Sequence, residues 1–170
     1  MQTFFADNTI QTAANNVLNT SAVAGDTVEQ ALDNLGGGVG SVFGENVSTA
    51  TDESTTATAS TTPVDKVTLT TTTLNAGIYY VAYNCELTIN RSNRNAACRL
   101  VRTTGGLNQE ICFYSKERTD NDDNDNPSGF GIVVLPAGIE EFKIQFFREG
   151  GGGGSIVSCS RARIILYRIR

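Results

Sequence analysis

The residues of this chain best equipped for chemistry lie in a few clusters. The densest is Asp120-Asn-Asp-Asp-Asn-Asp-Asn126. Asp120, Asp122 and Asn124 alternate as do the first oxygen ligands of a calcium-binding loop. The sixth position, however, is Asp125 where such a loop needs Gly, and the twelfth is Gly131 where it needs Glu. The EF-hand pattern therefore fails. Asp120, Asp122 and Asn124 remain a weak candidate for a looser hard-cation site, set against a wet loop of mutually repelling charges. The four cysteines, Cys85, Cys98, Cys112 and Cys159, sit in strand-like runs with no CxxC pair. Because the chain has no His, a zinc site would need all four thiols at irregular spacing. Buried free thiols acting as small hydrophobes are the preferred reading. The lack of His also removes Ser–His and Cys–His relays. No carboxylate pair stands in a glycosidase setting. The chain reads as non-enzymatic, with no cofactor.

Two further groups invite binding rather than catalysis. Gly150–Gly154 lacks the Gly-Lys-Ser/Thr that would make it a phosphate loop, so it reads as a flexible hairpin tip. Arg161, Arg163, Arg168 and Arg170 cluster near the C-terminus, and Arg91, Arg94, Arg99 and Arg102 form a second group. Pairing with Glu140, Glu141 or Glu149 of a neighbouring subunit is the simpler expectation. A patch for an anionic surface glycan is the sharper one. The net charge of −5 argues against nonspecific binding to nucleic acid or an anionic membrane. No run approaches the length of a membrane span. The start Met1-Gln-Thr-Phe-Phe-Ala-Asp lacks the basic and apolar regions of a secretory signal, so assembly in a cytoplasm is expected.

The elements that must position these groups divide into three. Within residues 1–46, Asn8–Val17 aligns with Asp26–Leu35 as an internal repeat. In the second copy, Thr27 and Gln30 have capping-box spacing and Val28, Ala31, Leu32 and Leu35 follow a helical stripe. Gly36 stands where a left-handed cap would go. Each copy is expected to be a short helix, too short to persist alone and in need of partners. Residues 47–63, rich in Ser, Thr and Ala, read as a linker or extended arm. Residues 64–170 alternate with period two, and strands are expected near 64–74, 77–90, 96–103, 109–117, 129–135, 139–148 and 155–169. Seven strands with no helix between them predict an antiparallel β-sandwich or jelly roll.

The last strand is apolar on both faces. Ala162, Ile164 and Leu166 occupy one, and Ile165, Tyr167 and Ile169 the other. One face suits the domain's own core. The second needs another partner, and further copies of the chain around a closed symmetry axis are the simplest one.

Three segments carry a family resemblance: Ala76-Gly-Ile-Tyr-Tyr-Val-Ala-Tyr83, Val133-Val-Leu-Pro-Ala-Gly-Ile-Glu-Glu-Phe-Lys-Ile-Gln-Phe146 and Ser158-Cys-Ser-Arg-Ala-Arg-Ile-Ile-Leu-Tyr167. In type and order they resemble the jelly-roll domains of the tumour-necrosis-factor (TNF) and complement-C1q superfamily, over about two thirds of the chain. The resemblance implies a homotrimer built around the last strand, here Ile165, Tyr167 and Ile169. Phage fibre and virion accessory proteins use similar knobs, and Asp26–Leu35 looks like repeats found in phage tail and head fibres. No collagen-like Gly-X-Y stalk precedes the knob. These features together suggest a bacteriophage virion protein: a capsid decoration or head-fibre protein. Its N-terminal segment, through Val28, Ala31, Leu32 and Leu35, would dock on the major capsid protein or another virion protein. A tail fibre that binds a host receptor or glycan is the nearest alternative, and a soluble TNF/C1q-like ligand or adhesin the next.

Overall fold

The period-two alternation read along residues 64–170 is realised as two antiparallel sheets. The computed structural model describes residues 47–91, 94–118, 124–150 and 154–170. Residues 1–46, with the expected helical repeat and Val28, Ala31, Leu32 and Leu35, lie outside them. The strands are β1 (Ser48–Asp52), β2 (Thr56–Thr58), β3 (Val64–Thr70), β4 (Gly77–Ile89), β5 (Arg94–Arg102), β6 (Gln109–Arg118), β7 (Ser128–Leu135), β8 (Glu141–Glu149) and β9 (Val157–Arg168). One sheet runs β1-β9-β4-β7, with β2 also paired to β9; the other runs β3-β8-β5-β6. Each expected strand has its counterpart.

The core is the seam between the sheets, and alternation fills it. From β4 come Tyr79, Val81, Tyr83, Cys85, Leu87 and Ile89, and from β8 Phe142, Ile144 and Phe146, all buried. The last strand supplies Val157, Cys159, Ala162, Ile164 and Leu166. Cys159 and Ala162 are three residues apart and still share the core side. The register explains this: Asn84 opposes Arg163 and Glu86 opposes Ser160, leaving Arg161 and Ala162 opposite Cys85 alone. That is a β-bulge, and Arg161 carries its left-handed backbone at φ 47°. Strict alternation holds along Ala162–Leu166 and breaks at Arg161.

The Ser/Thr stretch 47–63, expected as a linker or extended arm, is extended and laid along β9. Ser48–Asp52 pairs with Leu166–Ala162 of β9, and Thr56–Thr58 pairs with Cys159–Val157. Its residues have little to bury, which is why the sequence reads as linker; main-chain hydrogen bonds and the β-preference of Thr hold it instead. A clasp adds to this. A shift of register between Asp65 and Val67 turns Lys66 inward. Its side chain is fully buried, with Nζ 2.8 Å from Asp52 Oδ2 and donating to the Ser54 carbonyl at 2.7 Å. Asp52 also accepts from the Ser54 backbone N–H at 2.9 Å. The Lys66 and Ser54 hydrogen bonds hold its carboxyl down at about 2. A buried ammonium thus pins the β1–β2 connection to β3.

Elsewhere in the sandwich, Glu140 gathers three segments. Arg102 donates to both its oxygens at 2.7 Å and Thr104 donates at 2.6 Å. The Glu140 backbone N–H donates to Thr71 Oγ1 at 2.9 Å. Burial pushes the Glu140 carboxyl up, and the Arg102 and Thr104 hydrogen bonds more than offset it, leaving it below its ordinary value. Arg102 and Glu140 were expected to pair between subunits. They pair within the chain, because β5 and the entry to β8 are neighbours in one sheet.

Candidate functional site

The feature with the least internal explanation is the outer face of the β1-β9-β4-β7 sheet. It follows from the pairing register. Directly opposed residues in antiparallel strands point to the same side. Tyr80 opposes both Tyr167 and Ile132, and Ala82 opposes both Ile165 and Phe130. Ile78 opposes Val134, and its carbonyl accepts the Ile169 N–H at 2.8 Å. The alternate residues Tyr79, Val81, Ile164 and Leu166 are buried in the core, so these face away from it. The result is three apolar rows: Ile165–Ala82–Phe130, Tyr167–Tyr80–Ile132, and Ile78–Val134 with Ile169 beside them.

The rows are packed to each other and open outward. Tyr80 stacks on Phe130 with ring centroids 5.5 Å apart, and on Tyr167 at 5.0 Å. Ile165, Tyr167 and Ile169 are half-buried. Phe130, Ile132 and Val134 remain 63, 63 and 75% exposed. No charged side chain interrupts the three rows. The next row, Thr51–Arg163–Asn84–Ser128, is polar and marks the edge. Three strands about 4.8 Å apart and three rows about 7 Å apart span an area on the order of 300 Å². That is the size at which an exposed apolar patch on a soluble domain begins to mark an interaction site.

The structure therefore gathers Ile165, Tyr167 and Ile169 on one outward face, apart from Ala162, Ile164 and Leu166. It adds Ile78, Tyr80, Phe130, Ile132 and Val134, to which the sequence reading gave no role. A signal for β7 is present in Ser128-Gly-Phe-Gly-Ile-Val-Val-Leu135, where Gly129 and Gly131 alternate with Phe130 and Ile132. A strand whose inward positions are glycines and whose outward ones are large apolar residues inverts the usual order. The cause is close approach: a methyl on Gly131 would overlap Ile111 Cγ2, and one on Gly129 would lie 2.9 Å from Cys112 Sγ.

The other candidates are dispersed or fall outside the described residues. Asp120 and Asp122 lie outside them, while Asn124 is exposed. Asp125 faces Lys116, Nζ to Oδ1 2.9 Å. Among the described residues no group of three His, Cys, Asp or Glu side chains is arranged to hold a metal. The arginines divide between the two sheets and are largely used within the chain. Arg99 donates to Gln145 at 3.0 Å, Arg161 Nη1 to Glu86 at 2.7 Å, and Arg168 Nη2 to the Ala76 carbonyl at 2.8 Å. Arg163 is exposed at the edge of the apolar rows. The cysteines are free thiols, and Cys85, Cys98 and Cys159 are buried.

No family model matches the sequence, and no curated protein matches it. Among solved structures the chain is similar to that of Eiger TNF from S. frugiperda, at 11% identity and a TM-score of 0.55, over 76% of this chain and 94% of that one. It is also similar to the globular domain of zebrafish complement 1qA protein, at 16% identity and a TM-score of 0.47, over 74% of this chain and 97% of that one. The first likeness shows the fold: the described residues form a TNF-like jelly roll. The three resembling segments fall on β4, on β7 through β8, and on β9.

Proposed function

We propose that this chain is a non-enzymatic structural protein of a bacteriophage virion. It acts as a homotrimer that docks on the particle through residues 1–46 and displays the jelly roll as a capsid decoration or head-fibre knob. The observation that carries the trimer is the three uncharged rows on the outer face of the β1-β9-β4-β7 sheet, where Phe130, Ile132 and Val134 stay more than 60% exposed in one chain. A second and third copy, each covering part of its neighbour's face, remove that surface from water. Any closed symmetric assembly leaves no copy with an open face, and three copies is the number that the resemblance to the TNF and C1q superfamily implies. The phage assignment is supported by the repeat Asn8–Val17 and Asp26–Leu35 and its likeness to fibre-protein repeats. Docking through Val28, Ala31, Leu32 and Leu35 follows from their apolar stripe, and the major capsid protein is the partner proposed for it. The chain mass tests the assembly: light scattering on the full-length protein gives three times 18.1 kDa. A chain lacking residues 1–36 keeps that stoichiometry and fails to join the particle. A monomer overturns the trimer, and incorporation of the shortened chain overturns the anchoring role.

A further inference from the structure

The core holds a thiol cluster that neither the fold nor the proposed assembly requires. Cys85 on β4 and Cys98 on β5 belong to opposite sheets, and their sulfurs are 3.9 Å apart. Both are at most 2% exposed. Cys98 also meets the Tyr83 hydroxyl at 3.5 Å. On the other side, Cys85 stands opposite the bulge formed by Arg161 and Ala162. The small side chains of Ala96 and Ala97 precede Cys98 on β5. A van der Waals contact between two thiols across a sandwich is a packing solution that Val or Ala would also provide. What distinguishes it is that the contact is one bond formation away from a covalent tie between the sheets.

We propose that Cys85 and Cys98 are a latent cross-sheet disulfide site, closed when the folded protein meets a small peroxide oxidant. The Cys98 thiolate attacks one peroxide oxygen, breaking the O–O bond and giving a sulfenic acid and hydroxide. The Cys85 sulfur then displaces the sulfenic oxygen, which leaves as water with the Cys85 proton. In sum, two thiols and one hydrogen peroxide give one disulfide and two waters. The assignment of attacker follows from the contacts: hydrogen bonds from Cys85 and Tyr83 favour the Cys98 thiolate and outweigh the opposing effect of burial, while the Cys85 thiol is pushed up by its hydrogen bonds to Cys159 and Cys98 and by burial. Closure requires the sulfurs to move from 3.9 Å to about 2.05 Å, by side-chain rotation and an approach of the two sheets. The loop so closed is short, and the chain-entropy model gives a rise in melting temperature of roughly 6–12 °C.

The test treats reduced full-length protein with hydrogen peroxide, unfolds it in guanidinium, and counts thiols by alkylation and mass spectrometry. Two of the four thiols are expected to disappear, with a Cys85–Cys98 linked peptide lighter by two hydrogen atoms and a raised melting temperature. Cys159→Ala still loses two thiols; Cys85→Ala and Cys98→Ala form no disulfide. Four thiols remaining, a bond to Cys159 or Cys112, or sulfinic acid at Cys85 or Cys98 in the wild-type chain each overturns the proposal. Because the wild-type map alone decides, a variant that folds poorly does not blur the outcome.

Discussion

Ile132→Asp separates the outer face of the β1-β9-β4-β7 sheet from the core beneath it. Ile132 is 63% exposed in a single chain and its β4 partner Tyr80 points outward with it. Within the monomer the substitution therefore touches no core contact, and a cost of about 1 kcal/mol is expected from the poor strand preference of Asp. In the trimer the balance differs. Full burial of such a side chain is worth about 1.5–3 kcal/mol, and the still exposed share of Ile132 corresponds to roughly 1–2 kcal/mol. The aspartate forfeits this and must also be desolvated among Tyr80, Tyr167 and Ile165, adding a few kcal/mol more. The sum is about 4 kcal/mol per subunit, and three subunits carry it. Each 1.4 kcal/mol is tenfold in an equilibrium constant, so the trimer is lost at micromolar concentration. Light scattering reports the mass and circular dichroism the fold: a well-folded 18.1 kDa monomer is expected. Phe113→Asp is the control. Phe113 is 46% exposed on the outer side of the other sheet, against Phe147, and its substitution should leave the mass unchanged. A folded trimer of Ile132→Asp with an unaltered melting temperature would refute the assigned face.

The clasp and the glycines give further tests. Asp52→Ala leaves the Lys66 ammonium buried without its carboxylate and should cost about 3 kcal/mol in chemical denaturation, more than Lys66→Met, which removes the charge itself. Because the Asp52 carboxyl is held at about 2 when folded against 3.8 ordinarily, its contribution is complete above roughly pH 4 and fades as pH falls toward 2. The acid limb of a stability–pH curve should flatten in Asp52→Asn, and an unchanged limb would remove Asp52 from the account. Gly131→Ala should destabilise by about 1–3 kcal/mol through overlap with Ile111 Cγ2, and Ile111→Ala in the same chain should recover part of the loss. Additive losses in the double variant would show that the two do not meet.

What was legible in the sequence is what burial writes with a period. Tyr79 to Ile89 and Phe142 to Phe146 alternate because one side of each strand fills the core, so strands and sandwich could be read from them directly. Ser48–Asp52 and Thr56–Thr58 could not, because they are held by main-chain bonds to β9 and by Lys66, and main-chain bonds leave no mark on residue type. A lysine turned inward by a one-residue register shift looks, in sequence, like any surface lysine of an alternating strand. The outer face was half legible. Ile165, Tyr167 and Ile169 stand out because both faces of β9 are apolar, whereas Tyr80, Phe130 and Ile132 acquire meaning only once β4 lies between β9 and β7. A surface of this kind belongs to the register of three strands distant in sequence, not to any one of them. The same logic sets apart Cys85 and Cys98, which alternation places in the core and only the packing of two sheets brings to 3.9 Å. Periodicity along one strand says which side of it is buried; which side chains then meet, across the seam or on the outer face, is decided by pairing that periodicity does not record.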